Sequence, residues 1–178
     1  MKISRTWAMP HSLTFRIKPI KELVYKYKRG VIVDPFANTS KIGTIRNDLN
    51  PAMKTEYNLD ALEFLSSLDS GIADTVLFDP PYSISQAAEC YNDFGKEKLA
   101  ISVSNMAYWA ECKNQVSRIL KVDGVAIICG WNSNGLGINR GFKMIELLIV
   151  PHGGSKNDTI VTVEKKLEFV RNQSKISF

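Results

Sequence analysis

The sequence predicts an α/β protein with a doubly wound, mostly parallel sheet. Apolar runs of strand length alternate with segments whose apolar residues recur at helical spacing. Several of these runs are apolar at successive positions, which is typical of central strands covered on both faces. Only a short polar segment with two glycines separates the last two runs, and this predicts an antiparallel C-terminal hairpin.

The strands are predicted from six apolar runs, at residues 30–34, 41–48, 73–79, 124–131, 142–150 and 158–166. Helices are predicted at residues 20–28, 60–68 and about 104–121, and Ser104 can cap the start of the last one. Only seven residues, 35–41, lie between Asp34 and Ile42, whereas a right-handed crossover normally needs about a dozen. We therefore expect a loop in place of the first crossover helix. For the tail, residues 167–178, an edge strand and a mobile end both remain open.

The composition limits the class of protein. With 178 residues, of which 44% are hydrophobic and 23% charged, the chain is expected to form a single globular domain. It has no apolar run long enough to cross a bilayer, and its first residues lack the apolar core of a secretory signal, so we expect a cytoplasmic protein. Three widely spaced cysteines and two distant histidines predict neither disulfides nor a metal site, and Cys129 is expected in the core.

The net charge is +5, and the N-terminal arm carries much of the excess. Five basic residues surround aromatic and aliphatic positions there: Lys18, Lys21, Lys26, Lys28 and Arg29. Two interpretations remain open for this arm. It can face the phosphates of a polyanion, or it can be the solvated face of an amphipathic helix.

Acidic and amide side chains occur where the predicted strands end. Asp34 ends the first strand, Asp48 and Asn50 follow the second, Asp60 precedes a helix, and Asp79 closes the next strand. Ligands of open α/β sheets bind beyond the carboxyl ends of the strands, so these residues predict one shared crevice. Asp60 can equally be a helix N-cap, and Asp48 alone can be a turn residue.

The most unusual segment is Asp79-Pro80-Pro81-Tyr82, which directly follows an apolar strand. Two successive prolines fix φ and remove two backbone N–H groups. The segment therefore predicts a stiff turn whose carbonyl groups remain available as hydrogen-bond acceptors.

This turn matches the DPPY motif of S-adenosylmethionine-dependent amino methyltransferases. The segments VDPFANTSKIGTIRNDLNP (33–51) and NLDALEFL (58–65) are similar to the donor-binding segments of small adenine-N6 DNA methyltransferases of phages and mobile elements. The resemblance implies a class I methyltransferase fold, which is Rossmann-like. It also implies S-adenosyl-L-methionine as cofactor, DNA as partner and the cytoplasm of a prokaryotic cell as location.

The resemblance assigns the loop after the first strand to the methionine part of the donor. This loop consists of Asp34, Pro35, Phe36, Ala37 and Asn38. Phe36 would also form an apolar wall. Many relatives carry a glycine shortly after D-P-F, whereas this chain has Ala37 and Asn38, so Asn38 is a candidate for a positive φ.

The remaining donor contacts are likewise implied by the resemblance. Asp48 or Asn50 would accept hydrogen bonds from the ribose hydroxyls, as an acidic residue does in other nucleotide crevices. Asp60 would accept from the donor's adenine amine, beside the backbone N–H of Ala61. Phe15 would supply a second apolar wall, and the N-terminal arm would close the methionine pocket.

The chemistry of the DPPY turn follows from the nature of an aromatic exocyclic amine, whose lone pair is delocalised into the ring. Two acceptors on its two hydrogens favour the tetrahedral geometry and positive charge that develop on attack. The Asp79 carboxylate and the Pro80 carbonyl can be these acceptors, Pro81 fixes the turn, and Tyr82 would stack on the target base. No metal is required, and the base must be flipped out of a duplex or already single-stranded.

Candidate nucleic-acid contacts are Tyr82, the segment 83–95 that begins with Ser83, and Arg5, Trp7, Arg140, Lys143 and Lys156. Trp7 can equally be a packing residue. We expect no separate target-recognition domain, because such a domain needs considerably more chain. Recognition of a DNA sequence would then fall to short loops or to a partner subunit, as in a homodimer, or would be weak.

Two alternatives remain open. The same amine geometry serves N4 of cytosine in DNA and N6 of adenine in RNA, and the DPPY motif does not separate them. The other alternative is a non-catalytic DNA-binding or regulatory subunit on a methyltransferase scaffold. The missing glycine and the short first crossover favour it, whereas the intact DPPY argues against it.

Overall fold

The computed structural model describes residues 1–94, 103–154 and 156–168. Within these ranges the chain forms a seven-stranded sheet in the order β1-β6-β7-β5-β4-β2-β3. The strands are β1 (Lys2–Arg5), β2 (Ile32–Asp34), β3 (Ile45–Arg46), β4 (Ala73–Phe78), β5 (Leu120–Gly130), β6 (Phe142–Val150) and β7 (Thr159–Lys166). All neighbouring pairs are parallel except those of β7, which runs antiparallel to both β5 and β6. The predicted α/β sheet with an antiparallel hairpin is confirmed.

Helices cover both faces of the sheet. Alternate strand residues point to opposite sides, so the strands present apolar side chains to the helices on both faces. The helices are α1 (Lys18–Tyr27), α2 (Ala61–Ser67), α3 (Ile84–Asp93) and α4 (Met106–Ile119), with 3₁₀ turns at Thr14–Arg16 and Ile138–Arg140. On one face α1 packs over a cluster that includes Leu77 of β4. On the other face α2, α3 and α4 pack over a cluster that includes Val76 and Phe78. The sheet is therefore doubly wound.

The first crossover contains no helix, as the short spacing predicts. Residues 35–44 form turns between β2 and β3, and the two strands pair in parallel, with Val33 opposite Ile45. The strand predicted at 41–48 shortens to β3. The long helix starts at Met106, and its N-cap is Asn105, whose side chain accepts the Ala107 N–H, rather than the predicted Ser104. Cys129 is buried, as expected. The tail, for which an edge strand and a mobile end were both left open, consists largely of residues 169–178, which lie outside the described ranges.

Two elements were not predicted from the sequence. The first is β1, which extends the sheet beyond β6 with Ile3 opposite Leu147. Its residues are mostly exposed, so it lacks the apolar run that identifies a buried strand. The second is α3, which begins directly after the DPPY turn and is capped by Ser83, whose hydroxyl accepts the Gln86 N–H.

The strand directions define two edges of the sheet. We call the edge where β1, β2, β3, β4, β5 and β6 end the carboxyl edge. The crossover 131–141 returns the chain from the end of β5 to the start of β6, at the opposite edge. Residues that follow β4 and β5 therefore lie together, whereas residues around the start of β6 lie far from them. Over the described ranges, every helix is too short or too polar to span a membrane.

Candidate active site

A cleft of about 950 Å³ opens at the carboxyl edge, where the loops after β2, β3 and β4 meet the N-terminal arm. Most residues that the sequence assigns to the site line this cleft: Phe15, Pro35, Phe36, Ala37, Asn38, Asp48, Asn50, Ala61, Asp79, Pro80, Pro81 and Tyr82. The structure thus brings the loop after β2 and the DPPY turn to one space. In open α/β sheets this is the usual position of a ligand.

The loop after β2 is held by the side chain of Asp48. One carboxylate oxygen of Asp48 accepts the Asn38 N–H at 2.7 Å, and the other accepts the Asn50 N–H at 2.9 Å. Asn38 has a φ of 47°, which confirms the positive φ expected at this position. Asparagine is among the few non-glycine residues that adopt this conformation readily, so the tight path of the loop is kept without a glycine.

Asn47 is a structural residue of the site that the sequence analysis missed. Its side chain is buried, donates to the carbonyls of Pro35 at 3.1 Å and Leu59 at 3.0 Å, and accepts the Leu59 N–H at 2.9 Å. The amide therefore ties the loop after β2 to the segment before α2. The signal in the sequence that could have indicated this role is an amide residue at the end of a predicted strand.

Asp34, at the end of β2, is fully buried beneath the cleft. One carboxyl oxygen accepts the Phe36 N–H at 3.2 Å, and the other has no hydrogen-bond partner among the described residues. Burial raises the pKa of Asp34 to about 8, and the negative charges of Asp79 and Asp48 add to this rise. Gly43 packs so closely that a Cβ there would lie 2.8 Å from the Asp34 Cβ. A cation in the adjacent cleft would favour the ionised form of this carboxyl.

Asp60 is an N-cap in this structure. One oxygen accepts the backbone N–H groups of Leu62 and Glu63, and the other accepts the hydroxyls of Tyr91 and Tyr108, each at 2.6 Å. Four donors fill the usual capacity of a carboxylate. The expected bond from Asp60 to a donor adenine amine is therefore not supported by this geometry, because the carboxylate is already saturated and buried. Its role here is to join α2, α3 and α4.

The DPPY turn ends β4 with its tyrosine folded back onto its aspartate. The Tyr82 hydroxyl donates to the Asp79 carboxylate at 2.7 Å and lies 3.4 Å from the Thr14 hydroxyl. Burial raises the pKa of Asp79, and the hydrogen bonds from Tyr82 and Thr14 oppose that rise. Burial and the nearby Asp79 charge raise the pKa of Tyr82, so the phenol stays protonated and can donate. The Pro80 carbonyl accepts no hydrogen bond within ranges 1–94, 103–154 and 156–168.

Trp131, directly after β5, packs against the motif and was also missed. Its ring centroid lies 5.8 Å from that of Tyr82, with the two planes at 72°. This edge-to-face contact fixes one side of the Tyr82 ring. Trp131 nevertheless remains 39% exposed at the carboxyl edge. The neighbouring strand β5 thus supplies an aromatic wall beside the turn.

The candidate nucleic-acid contacts are divided between the two edges. Arg5, Trp7 and Lys156 are exposed and lie at the carboxyl edge: Arg5 ends β1, Trp7 follows it, and Lys156 lies between β6 and β7. Arg140 and Lys143 lie at the opposite edge, where β6 begins, so the structure does not bring them to the cleft. The Arg140 guanidinium instead bonds to the Asn114 side chain and to the carbonyls of Leu136 and Ala110. Among the described residues, no group of three or more potential metal ligands is present.

Comparison with known proteins identifies the fold. Neither a protein-family model nor a curated protein sequence matches the chain. Burkholderia thailandensis 1,6-didemethyltoxoflavin-N1-methyltransferase, crystallised with 1,6-didemethyltoxoflavin and S-adenosylhomocysteine, is similar with a TM-score of 0.54 at 14% identity, covering 84% of this chain and 76% of its own. TrmN from Thermus thermophilus is similar with a TM-score of 0.53 at 15% identity, and the match covers 84% of this chain but only 48% of TrmN. The chain has a class I methyltransferase fold.

Proposed function

We propose that the chain transfers the methyl group of S-adenosylmethionine to the exocyclic N6 amine of adenine in DNA. The observation that carries the proposal is that the DPPY turn and the loop after β2 line the same cleft. An acceptor pair suited to an amine therefore shares one space with a loop of the kind expected under the methyl donor. The class I methyltransferase fold of the chain supports the same conclusion.

The cleft fits S-adenosylmethionine in size, charge and polarity. Its volume of about 950 Å³ is at the upper end of the usual range for ligand pockets. The carboxylate of Asp48 lines the cleft beside the loop after β2, which suits a cationic donor. Leu49 and Leu59 add apolar lining against which a purine can pack. When bound, the donor supplies an electrophilic methyl group on a positively charged sulfur.

The residues of the turn then prepare the target amine. The Asp79 carboxylate and the Pro80 carbonyl accept its two hydrogens, which localises the nitrogen lone pair and stabilises the charge that develops on attack. Tyr82 offers its ring to the base, and the Tyr82 hydroxyl holds the Asp79 carboxylate in position. As the N–methyl bond forms, the methyl–sulfur bond breaks and S-adenosylhomocysteine is the leaving group. The methylated amine then loses one of its two hydrogens as a proton, through the Asp79 carboxylate that accepts it, to solvent.

The alternatives predict different products. N4-cytosine methylation and N6-adenine methylation of RNA need the same acceptor pair, so the identity of the methylated nucleoside separates them. A non-catalytic subunit on this scaffold would bind nucleic acid without transferring a methyl group. The positive φ of Asn38 weakens that alternative, because the loop keeps its tight path despite the missing glycine.

The test is to incubate the protein with methyl-labelled donor and double-stranded DNA, single-stranded DNA or RNA, and then to digest and identify the labelled nucleosides. We expect N6-methyladenine from DNA with the wild-type protein and at least a hundred-fold less with Asp79→Ala. Labelled N4-methylcytosine, or label in RNA alone, would replace the proposed substrate by an alternative. If no nucleic acid is labelled although calorimetry detects donor binding that Asp34→Ala weakens, the catalytic proposal is wrong.

A further inference from the structure

The two long sides of α1 differ in how their charges are satisfied. On the side that faces β1 and β6, Lys26 pairs with the buried carboxylate of Glu146, to which the Tyr27 hydroxyl also donates at 2.6 Å. Glu22 lies on this side too, beside Lys2. These charges are balanced within the fold, so they serve to dock α1 on the sheet.

The side of α1 that faces the cleft carries basic charge without acidic partners. Lys21, Tyr25 and Lys28 follow one another at spacings of four and three residues, so they form one stripe along the helix. Neither lysine makes an ion pair with any residue of the described ranges. Arg16, which precedes the stripe in the chain, and Lys41, from the loop after β2, also line the cleft, and neither makes an ion pair with a described residue. The cleft thus continues into a basic groove, defined here by Arg16, Lys21, Tyr25, Lys28 and Lys41.

An exposed aromatic ring lies between the lysines of this groove. Tyr25 is 53% exposed, with the Lys28 Nζ 3.9 Å and the Lys21 Nζ 5.8 Å from its ring centroid. Positively charged grooves with aromatic platforms are the usual form of a sequence-tolerant surface for single-stranded nucleic acid. Lys28 is the C-cap of α1, and from Lys21 to Lys28 the chain rises about 10 Å along the helix axis, so the two lysines can contact different phosphates of one strand.

We propose that this basic groove binds the single-stranded segment of DNA that flanks the target nucleotide, with the lysines on its phosphates and Tyr25 under a base. The inference rests on the proposed function, because it takes the occupant of the neighbouring cleft to be a nucleotide of the same strand. It narrows the sequence analysis, which left open whether the basic arm faces a polyanion and placed the other nucleic-acid contacts after the DPPY turn and at Arg5, Trp7, Arg140, Lys143 and Lys156.

The test measures binding of a fluorescein-labelled, single-stranded 16-nucleotide DNA by anisotropy at several salt concentrations, without methyl donor. We expect the combined variant Lys21→Gln, Lys28→Gln, Lys41→Gln to reduce the slope of log K against log salt by about 2, at roughly 0.7 for each lost phosphate contact. The control, Lys121→Gln, Lys143→Gln, Lys165→Gln, removes the same formal charge from the opposite edge and should leave the slope nearly unchanged. Because Lys121 and Lys165 pair with Asp74 and Asp123, circular dichroism and denaturant midpoints confirm that this variant stays folded. Tyr25→Ser should weaken binding roughly ten-fold and Tyr25→Phe much less.

Several outcomes would overturn the inference. It is wrong if the groove variant and its control change the slope equally, or if the groove variant weakens only duplex or only RNA binding. It is also wrong if the variant lowers the affinity for S-adenosylmethionine and leaves the DNA slope intact, because the lysines then serve the donor carboxylate. Methyl transfer is assayed separately, so a groove effect without methylation contradicts the proposed function alone, and methylation without a groove effect contradicts this inference alone.

Discussion

The two halves of the cleft are built from different kinds of interaction. The proposed methyl-donor half, residues 35–50, is shaped by side chains that bond to backbone groups, notably those of Asn47 and Asp48. The proposed methyl-acceptor half, residues 79–82, is shaped by two prolines and the Tyr82–Asp79 hydrogen bond. In the first half the polar side chains already form hydrogen bonds within the protein, whereas in the second the Pro80 carbonyl has no hydrogen-bond partner within the described part of the chain. Substitutions in the first half should therefore lower the free energy of unfolding and the affinity for the methyl donor. Substitutions in the second half should lower the rate of methyl transfer.

The largest effect is expected in the methyl-acceptor half. Asp79→Ala should lower kcat by about 10²–10³-fold, because it removes an acceptor that stabilises developing positive charge. The affinity for S-adenosylmethionine should change by less than about two-fold, since Asp79 is assigned to the target amine. Initial rates and calorimetry measure the two effects. Asp123→Asn, an exposed carboxylate at the opposite edge, is the control, and a parallel loss of donor binding in Asp79→Ala would contradict the division between the halves.

The second prediction concerns the pH dependence of stability through Asp34. Its pKa is about 8 in the folded protein because of burial, against 3.8 as the ordinary value. A carboxyl with a raised folded pKa contributes stability that is fully present below the unfolded pKa and is lost as pH rises through the folded pKa. Between pH 4 and pH 8, Asp34→Asn should remove on the order of 3 kcal/mol of the wild-type decline in the free energy of unfolding. Urea denaturation across this range tests it, and equal declines in both proteins would show that Asp34 is not perturbed.

The third prediction addresses the scaffold of the methyl-donor half. Asn47→Ala leaves the carbonyls of Pro35 and Leu59 without their partner, so the free energy of unfolding should fall by about 2 kcal/mol. Affinity for S-adenosylmethionine should fall as well, because the loop loses its tie to the segment before α2. Denaturant midpoints and calorimetry measure both, with Asn139→Ala at the opposite edge as control. An unchanged donor affinity would mean that the loop holds its shape without this amide.

The smallest effect separates the two roles of Tyr82. Tyr82→Phe keeps the ring and removes the hydroxyl that bonds to Asp79, so kcat should fall by roughly five-fold, equivalent to about 1 kcal/mol. That hydrogen bond lowers the pKa of Asp79, so its loss should move the acidic limb of the pH–rate profile to higher pH. Tyr82→Ala should lose the stacking contribution in addition. An acidic limb that stays in place in Tyr82→Phe would assign to Tyr82 a role in stacking alone.

Much of the fold could be predicted because its central strands are apolar on both faces. The seven-residue spacing between the first two strands was enough to predict a loop crossover, and this was confirmed. By contrast, β1 has few buried side chains, and its place beside β6 is set by long-range pairing that leaves no periodic signal. Helix α3 was missed because its polar sequence was interpreted as a segment that contacts nucleic acid.

Within the site, the positions of residues at strand ends were predictable, whereas their hydrogen-bond partners were not. Asp60 could be assigned to the N-cap or to the donor, and only the approach of Tyr91 and Tyr108 from other helices decides between them. Likewise, Arg140 and Lys143 were assigned as nucleic-acid contacts because the sequence does not show at which edge of the sheet β6 begins. Trp131 and Thr14 reach the DPPY turn from distant parts of the chain, so only the folded structure relates them to it.

The measurement that tests the central claim most directly is the amount of N6-methyladenine formed in DNA by the wild-type protein and by Asp79→Ala at saturating S-adenosylmethionine. The account predicts N6-methyladenine in the wild-type reaction and at least a hundred-fold less in the variant, with both proteins binding the donor. Equal amounts from the two proteins, or a wild-type protein that binds donor and DNA but forms no methylated base, would contradict it.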